Sequence, residues 1–357
     1  MKVAIVVGTR PEIIKMAPVV RACAARGVPH VVLHTGQHYS FDMDGVFFEE
    51  LELPRPQANL EVGSGSQAFQ VGAIVSGMAP LLERERPDWV LVEGDTNSVL
   101  ASALAAHKLG VRVGHVEAGL RSYDRRMPEE INRILTDHLA DHLYAPTEHA
   151  RATLRGEQVA DARIRVTGNT VVDELLRQRP RAVARGAPAR FGVRPGGYAV
   201  ATVHRAENTD DAARLRGLVA GLSAAAAALG IEVLCAVHPR TTARLQALGL
   251  AWGERVRALP PLPYLDFLGL HAEAALTLTD SGGLQEEACT LGVPCVTLRD
   301  NTERPESVEA GANVLAGAEP ARIVEAARAM RARARGWPNP FGDGHAAGRI
   351  VDALLAP

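Results

Sequence analysis

The stretch GHVEAGLRSYDRRMPEEINR, residues 114–133, is rich in charged side chains and lies between an apolar run and an amphipathic pattern. The apolar run predicts a strand over 111–116 that ends at Glu117, and a glycine soon afterwards allows a sharp turn. Pro128 favours the first turn of a helix. Apolar residues then recur at helical spacing, which predicts a buried helix face made by Ile131, Ile134, Leu135 and Leu139.

Glu117 is the first candidate for a functional residue, because it follows the carboxyl end of a predicted strand. Open α/β sheets place their ligands at that edge. Glu129 and Glu130 lie in the first turn of the predicted helix, where the helix dipole favours carboxylates. They are therefore either ordinary helix-start acids or part of the same site, and the helix alone leaves both interpretations open.

Short β-branched runs alternate with helical patterns along the whole chain, which is typical of parallel βαβ units and an α/β fold. The strands predicted in the first half are 3–7, 31–34, 89–92, 111–116 and 143–146. Those predicted in the second half are 198–203, 232–237, 275–279 and 294–298. The Arg-, Pro- and Gly-rich segment 176–197 is interpreted as a solvated connection between two domains, and a basic stripe for nucleic acid is the alternative. Two Rossmann-like domains with a central cleft are expected.

Composition limits the class of protein. A chain of 357 residues with 47% hydrophobic residues is long for one domain and can bury sizeable cores. A net charge of −2 gives no overall attraction to nucleic acid or an anionic membrane. The four cysteines are scattered without a metal-ligand pattern and are expected to be buried thiols in a reducing compartment. The apolar tract 217–237 is interpreted as a helix and a strand, and the N-terminus lacks signal-peptide features, so we expect a cytoplasmic protein.

Two motifs in the first half follow predicted strands. In GTRPEIIK, residues 8–15, a proline marks a helix start, and Arg10 and Lys15 flank the first turns. Backbone N–H groups, the helix dipole and two cations would suit an anion there. The motif has one glycine, so it is neither a Walker loop nor a dinucleotide fingerprint. In EGDTNS, residues 93–98, Asp95 is either a site residue or a helix N-cap.

Three motifs in the second half also follow predicted strands. HRAEN begins with His204 and is interpreted as part of a site, with a satisfied polar turn as the alternative. In LRDNTERPE, Arg304 stands beside a rigid proline.

The third of these motifs, TDSGGLQEE, residues 279–287, passes from a strand through two glycines into a helix. Ser281, Gly282 and Gly283 would present a hydroxyl and backbone N–H groups to a phosphate at the helix start. Glu287, one turn further on, could accept hydrogen bonds from sugar hydroxyls. This motif is the strongest indication of a phosphate ligand.

The motifs GTRPEIIKMAP, GQH, GDT, GHVEAGLRS, PEEINR, TGNTVVD, HRAEN, DSGGLQEEA, RDNTERPE and GAN occur in this order. Together they resemble the non-hydrolysing UDP-N-acetylglucosamine 2-epimerases over essentially the whole chain. The resemblance implies the two-domain fold of B-type glycosyltransferases, with the last helix crossing back onto the first domain. The expected domains are 1–172 with 344–357, and 173–343, the latter binding UDP. The resemblance also implies reversible conversion of UDP-GlcNAc to UDP-ManNAc by a cytoplasmic homodimer. It implies no metal, nicotinamide cofactor, nucleic acid or membrane partner.

The resemblance assigns roles to residues that match the family motifs. The residues expected around the reacting centre are Asp95, Glu117, Glu129 and His204. Those expected to hold the substrate are Arg10, Lys15, Phe267, Ser281, Gly282, Gly283, Glu287 and Arg304. Phe267 would lie by the uracil, and the motif around it is only loosely diagnostic.

The implied reaction explains these residue types. The proton at C2 of the sugar is barely acidic, so the family is proposed to eliminate UDP across C1–C2 and then add it back. A base on one face and an acid on the other require several carboxylates with raised or separated pKa values. Cations and helix N-termini would retain the departing UDP. Three alternatives remain: a hydrolysing 2-epimerase, a B-type glycosyltransferase, and a nucleotide-sugar-binding regulator without catalysis.

One departure from the family concerns regulation. Some bacterial members bind a second UDP-GlcNAc beside the active site through a Gln and an Arg. The aligned positions here are Ser40 and Ser66, whereas Gln37 and His238 remain. Serine cannot offer the cationic fork that Arg presents to a diphosphate, so weak effector binding is expected.

Overall fold

The structure is a computed structural model that describes residues 1–37 and 41–356. The chain forms two compact units. Unit 1 contains Met1–Glu174 and Phe341–Pro357, and unit 2 contains Leu175–Pro340. The boundaries expected from the sequence lie within three residues of these.

Unit 1 is built on a seven-stranded parallel sheet in the order β3-β2-β1-β4-β5-β6-β7. Its strands are β1 (Val3–Val7), β2 (His30–His34), β3 (Ala58–Asn59), β4 (Trp89–Glu93), β5 (Arg112–Val116), β6 (His142–Ala145) and β7 (Ile164–Val166). Its helices are α1 (Arg10–Ala25), α2 (Phe41–Glu50), α3 (Gln67–Glu85), α4 (Asn97–Lys108), α5 (Pro128–Leu139), α6 (Glu148–Gly156) and α7 (Thr170–Ala184), with a 3-10 turn at Asp161–Arg163. The central strands β1 and β4 are buried along their whole length, as expected where a parallel sheet is covered on both faces.

Unit 2 is built on a six-stranded parallel sheet in the order β10-β9-β8-β11-β12-β13. Its strands are β8 (Tyr198–Val203), β9 (Glu232–Val237), β10 (Val256–Leu259), β11 (Leu276–Thr279), β12 (Cys295–Thr297) and β13 (Asn313–Leu315). Its helices are α8 (Ala187–Arg190), α9 (Ala206–Thr209), α10 (Ala212–Leu229), α11 (Pro239–Ala247), α12 (Tyr264–Ala272), α13 (Gly282–Leu291), α14 (Pro305–Glu309) and α15 (Pro320–Ala332). The expected α/β fold with two Rossmann-like units is therefore confirmed.

The last helix, α16 (Ala346–Leu355), belongs to unit 1. It packs against α1, and Arg26 forms an ion pair of 2.9 Å with Asp352. The backbone N–H groups of Ala346 and Ala347 donate to the carboxylate of Asp173 at 3.1 and 2.9 Å, which satisfies the first turn of α16. The helix that the resemblance implies is thus attached to the first unit by side-chain capping and an ion pair.

All nine strands predicted from the sequence are present with ends within one residue. The four strands that the sequence did not predict are β3, β7, β10 and β13, which are the edges of the two sheets. Each edge strand has two to four residues and carries partly or fully exposed positions. A short strand with one neighbour and one solvated side lacks the continuous apolar run by which buried strands are recognised.

Most of residues 176–197 are exposed, as the interpretation of a solvated connection expected, but the segment is not an irregular linker. α7 runs to Ala184 and α8 follows it, so most of this segment is helical. Leu175, Gln178 and Ala182 are buried along α7. The boundary between the units lies inside this helix, and its Arg and Pro residues occupy exposed or terminal positions around a buried stripe.

The predicted buried face of α5 was also wrong. Leu135 is 46% exposed, and Ile131, Ile134 and Leu139 are only partly buried. The buried residues of α5 are instead polar: Glu130, Asn132, Arg133, Thr136 and Asp137. Helical spacing identified the helix correctly. Its buried face is the polar one, because those side chains form hydrogen bonds with the loops that follow the strands, and the apolar face is only partly buried.

The apolar tract 217–237 forms a helix and a strand, α10 and β9, as predicted. α10 is the one helix among the described residues that is long and apolar enough to cross a membrane. Leu215, Leu218 and Leu222 on this helix belong to the core of unit 2, which is the packing of a core helix. The four cysteines are buried and free, as expected.

Candidate active site

The carboxyl end of the unit 1 sheet carries a cluster of ionisable side chains around Lys15. The Lys15 ammonium lies 2.9 Å from Oε1 of Glu93 and 2.5 Å from Oε2 of Glu117. Asn169 donates from Nδ2 to the same Glu117 oxygen at 2.9 Å. Glu117 adopts φ 66°, a left-handed conformation that is uncommon for a residue other than glycine. The backbone turn and two donors thus fix the position of the Glu117 carboxylate.

Glu93 of this cluster and the nearby Glu12 are both buried carboxyls. Glu93 is the last residue of β4 and 2% exposed, and burial raises its pKa well above the usual range although Lys15 opposes the shift. Burial likewise raises the pKa of Glu12 to about 7, against hydrogen bonds from Thr96 Oγ1 at 2.6 Å and the Gly8 N–H at 2.5 Å. The pKa values of Glu12 and Glu93 are thus both raised, which favours their protonated forms near neutral pH.

Asp95 follows β4 and forms an ion pair with Arg133 of α5. The Nδ2 of Asn132 donates to the Asp95 carbonyl at 3.0 Å. The N-cap of α4 is Thr96, so the alternative interpretation of Asp95 as a helix cap was wrong. The buried polar face of α5 therefore holds the Asp95 loop, with a carboxylate that is one-third exposed.

Glu130 and its neighbour Glu129 have different environments. Glu130 is buried and accepts hydrogen bonds from the N–H groups of Ser122 and Tyr123 at 2.9 and 2.8 Å. Burial alone would raise the pKa of Glu130, but these bonds and the charge of Arg133 lower it. Glu130 thus orders the loop after β5. Glu129 is half-buried at the first turn of α5.

A buried network behind the cluster joins β5 to α5. The Nδ1 of His115 lies 2.6 Å from Asp137 Oδ1, and its Nε2 lies 2.8 Å from the Gly94 carbonyl. Arg121 donates to the other Asp137 oxygen at 2.7 Å. Burial would raise the pKa of Asp137, but His115 and Arg121 hold it below its usual range. The network fixes the Gly94 turn that precedes Asp95.

In unit 2, the glycine pair begins α13. Ser281 is its N-cap, and its Oγ accepts from Leu284 N at 3.4 Å. A Cβ atom at Gly282 would lie 3.6 Å from Glu303 Oε2 and 3.9 Å from Arg205 Nη2, and one at Gly283 would meet Ser281 Oγ at 3.9 Å. Both glycines thus leave space for a Cβ atom, and the space at Gly282 borders the Arg205 guanidinium and the Glu303 carboxylate. A helix start with a guanidinium beside it suits a phosphate.

The loop that carries His204 is ordered by a buried carboxylate from the neighbouring strand end. Asp280 accepts from the backbone N–H groups of His204 and Arg205, each at 2.9 Å, and from Asn208 Nδ2 at 3.1 Å. The His204 side chain is 42% exposed. HRAEN is thus a polar turn satisfied by Asp280 that leaves its histidine ring accessible. His204 lies in unit 2, whereas Asp95, Glu117 and Glu129 lie in unit 1.

A sequence model of the UDP-N-acetylglucosamine 2-epimerase family matches residues 21–355. The UDP-N-acetylglucosamine 2-epimerase of Methanocaldococcus jannaschii is 46% identical over 99% of each chain. The chain belongs to the UDP-N-acetylglucosamine 2-epimerase family. This membership confirms the resemblance to UDP-N-acetylglucosamine 2-epimerases that is seen in the motifs.

Two further comparisons, with a solved structure of that enzyme and with a second relative, are informative. The crystal structure of the Methanocaldococcus jannaschii enzyme in complex with UDP-GlcNAc and UDP is 47% identical, covers 99% of each chain and superimposes with a TM-score of 0.93. The UDP-2,3-diacetamido-2,3-dideoxy-D-glucuronate 2-epimerase of Pseudomonas aeruginosa is 40% identical over 99% of each chain. Members of comparable similarity therefore act on differently substituted sugars.

The remaining residues predicted to bind substrate in this epimerase lie on several elements. Arg10 is the first residue of α1, and its guanidinium lies 5.0 Å from the ring centroid of Phe47. Arg304 is buried beside the start of α13 and forms an ion pair with Glu286. Phe267 is half-buried on α12, and Glu287 is 15% exposed on α13. Among the described residues, no group of three His, Cys, Asp or Glu side chains could hold a metal ion.

Sequence reasoning assigned no role to Glu12, Glu93 or Asn169, although each contacts a residue of the cluster or its supporting loop. Glu12 and Asn169 stand inside the quoted motifs GTRPE and TGNTVVD, so the motifs themselves contained that signal. Glu93 is the first residue of the quoted motif EGDTNS, at a strand end, so that motif also contained the signal. Lys15 was expected near a diphosphate, and the structure places its ammonium between two carboxylates.

The residues discussed for regulation have local roles where they are described. Ser66 is the N-cap of α3 and accepts from Phe69 N at 3.3 Å. The Oε1 of Gln37 accepts from the N–H and the hydroxyl of Ser98 at 2.9 and 2.6 Å. His238 is the N-cap of α11. Ser40 lies outside the described residues.

Proposed function

We propose that this enzyme interconverts UDP-GlcNAc and UDP-ManNAc by anti elimination of UDP and its re-addition. The observation that carries the proposal is the cluster at the strand ends of unit 1, where Lys15 holds the Glu117 carboxylate next to buried Glu93. A cluster that combines an oriented carboxylate with carboxyls that keep their protons can supply both a base and an acid.

The proposed reaction has two steps, elimination of UDP and its re-addition. A carboxylate of the set Asp95, Glu117 and Glu129 removes the proton from C2 as the C1–O bond breaks, and UDP leaves with the bonding electron pair. A C1–C2 double bond results, giving a 2-acetamidoglucal. Return of a proton to the opposite face of C2 and attack of the UDP oxygen at C1 give the epimer. His204 is also proposed to take part in the reaction.

Unit 2 is proposed to hold the nucleotide. The start of α13 offers backbone N–H groups with Ser281 as N-cap, and Arg205 and Arg304 lie beside Gly282. These groups would stabilise UDP as an anion while it is detached from the sugar. UDP would then stay bound until it adds back to the sugar, instead of leaving the enzyme. Arg10 is proposed to contact the diphosphate, Glu287 the ribose and Phe267 the uracil.

The assembly and location are also proposals. A homodimer is supported by the apolar stripe of α5, where Leu135 is 46% exposed and Ile131 and Ile134 are partly exposed. Free buried thiols are consistent with a reducing, cytoplasmic environment. We propose that neither a metal nor a nicotinamide cofactor takes part, because the lysine and arginine groups can supply the required positive charge.

Proton NMR of UDP-GlcNAc incubated with the enzyme in heavy water tests the proposal. We expect UDP-ManNAc to appear at equilibrium with UDP-GlcNAc. Release of free UDP with free sugar would instead establish a hydrolysing epimerase, and no change without an acceptor would favour a glycosyltransferase. UDP-2,3-diacetamido-2,3-dideoxy-glucuronate assayed in parallel tests the sugar, and faster turnover of that substrate would overturn the assignment to UDP-GlcNAc.

A further inference from the structure

His271 lies on α12 directly behind two residues proposed to contact the nucleoside. Its side chain is fully buried, and its ring centroid lies 5.9 Å from that of Phe267. The Nε2 lies 2.9 Å from Thr277 Oγ1 of β11, and the Nδ1 lies 3.5 Å from Glu287 Oε2 of α13. Nδ1 has no hydrogen-bond partner within residues 1–37 and 41–356. A buried polar nitrogen is thus directed at a carboxylate just beyond hydrogen-bond distance.

The surroundings of the ring select one tautomer. The Thr277 hydroxyl can donate to Nε2, which leaves the ring proton on Nδ1 facing Glu287. The opposite tautomer would direct a nitrogen lone pair at a carboxylate oxygen, and the two negative ends would repel each other. A buried N–H without an acceptor is costly, so we assign the Glu287 carboxylate, 3.5 Å from Nδ1, as its acceptor.

We propose that His271 is a positioning residue that holds the Glu287 carboxylate toward the ribose hydroxyls and makes the nucleotide site selective for ribose. Glu287 is 15% exposed, so one oxygen can bond His271 while the other faces a ligand. A hydrogen-bonded carboxylate accepts a diol with less loss of side-chain freedom than a mobile one. The inference rests on the proposed binding of UDP by unit 2.

Two conservative substitutions separate positioning from packing. His271→Asn keeps a donor at the Nδ1 position, whereas His271→Gln keeps a polar group near Thr277 and loses that donor. Calorimetric titration of each protein with UDP and with 2′,3′-dideoxy-UDP measures the contribution of the ribose hydroxyls. We expect His271→Gln to bind UDP about tenfold more weakly than wild type, and His271→Asn to bind within about threefold. All three proteins are expected to bind dideoxy-UDP equally.

Comparing UDP with dideoxy-UDP also separates a failure of this inference from a failure of the proposed function. Equal weakening of UDP and dideoxy-UDP by His271→Gln would show a packing role and overturn the positioning role. Wild-type protein that binds neither ligand would overturn the UDP site itself. If the variants do not fold, ¹⁵N NMR of wild-type histidines gives the answer: a protonated Nδ1 on His271 that shifts with UDP and not with dideoxy-UDP supports the inference. A bare Nδ1, or equal shifts, overturns it.

Discussion

The ammonium of Lys15 lies 2.5 Å from Oε2 of Glu117, at the carboxyl edge of the unit 1 sheet. This contact favours the ionised form of a carboxylate whose position is already fixed by a left-handed backbone turn and by Asn169. A carboxylate held in place beside a lysine has the geometry that a base for the C2 proton requires.

Glu117→Gln should lower turnover of UDP-GlcNAc at least on the order of 100-fold, because the amide cannot accept a proton. The substitution keeps the side-chain volume, so the KM should change far less than kcat. Steady-state assays of UDP-ManNAc formation give both values. Glu148→Gln on the exposed start of α6 is the matched control and should keep wild-type kinetics. A near-normal kcat for Glu117→Gln would remove Glu117 from the chemistry.

Turnover in heavy water should place deuterium at C2 of the product. The carboxyls that take and return the proton exchange with solvent, and the base and acid act on opposite faces, so the original proton is not returned. Mass spectrometry of UDP-ManNAc collected at early times measures the incorporation. Complete retention of protium would contradict the elimination mechanism and favour direct transfer.

The stability of unit 1 should depend on the protonation of Glu12. Its pKa is about 7 in the folded protein, above the usual 4.5, so the folded state binds the proton more tightly than the unfolded state does. The contribution is fully present below about pH 4.5 and is lost as the pH rises through 7, a change of about 3 kcal/mol by proton linkage. Glu12→Gln cannot titrate and should lack this contribution.

Denaturant unfolding of wild type and Glu12→Gln at pH 5, 6, 7 and 8 measures this effect. The free energy of unfolding of wild type relative to the variant should fall across that range, and other titrating groups cancel in the difference. Parallel pH profiles for the two proteins would show that Glu12 is ionised in the folded state throughout.

The sequence predicted the central strands of the two sheets better than their edge strands or the polar contacts of the candidate site. Central strands such as β1 and β8 are continuous apolar runs, whereas β3 and β13 lie at sheet edges and lack that pattern. α5 was predicted as a helix, but its buried face is polar because it bonds the loops after β4 and β5. Such a face depends on partners distant in sequence, so local periodicity cannot identify it.

Gly282→Ala should weaken UDP binding by about tenfold or more while leaving the fold intact. A Cβ atom there makes contacts of 3.6 Å or longer with its protein neighbours, so the free protein accommodates it. The same methyl group would stand over the N–H groups proposed to bind phosphate. Titration with UDP and thermal unfolding measure the two effects. Gly283→Ala, whose Cβ would meet only the Ser281 hydroxyl at 3.9 Å, is the comparison, and a large loss of stability in Gly282→Ala would contradict the argument.

The reverse reaction should begin without an activator. Regulated members of the family are expected to hold a second UDP-GlcNAc through a Gln and an Arg, and the corresponding residues here are Ser40 and Ser66. The hydroxyl of Ser66 already caps α3 through the Phe69 N–H, and it carries no positive charge for a diphosphate. An effector shifts a conformational equilibrium only by its differential affinity for the two states, so a weakly bound effector shifts it little.

Progress curves with UDP-ManNAc as the sole substrate should therefore be linear from the start, and initial rates should follow a hyperbola. Ser66→Arg is the matched variant, because it restores the cation that regulated members use and leaves the cluster around Lys15 untouched. A lag in wild type that traces of UDP-GlcNAc abolish would show that an effector site operates in spite of Ser40 and Ser66. The interpretation of these two positions would then be wrong.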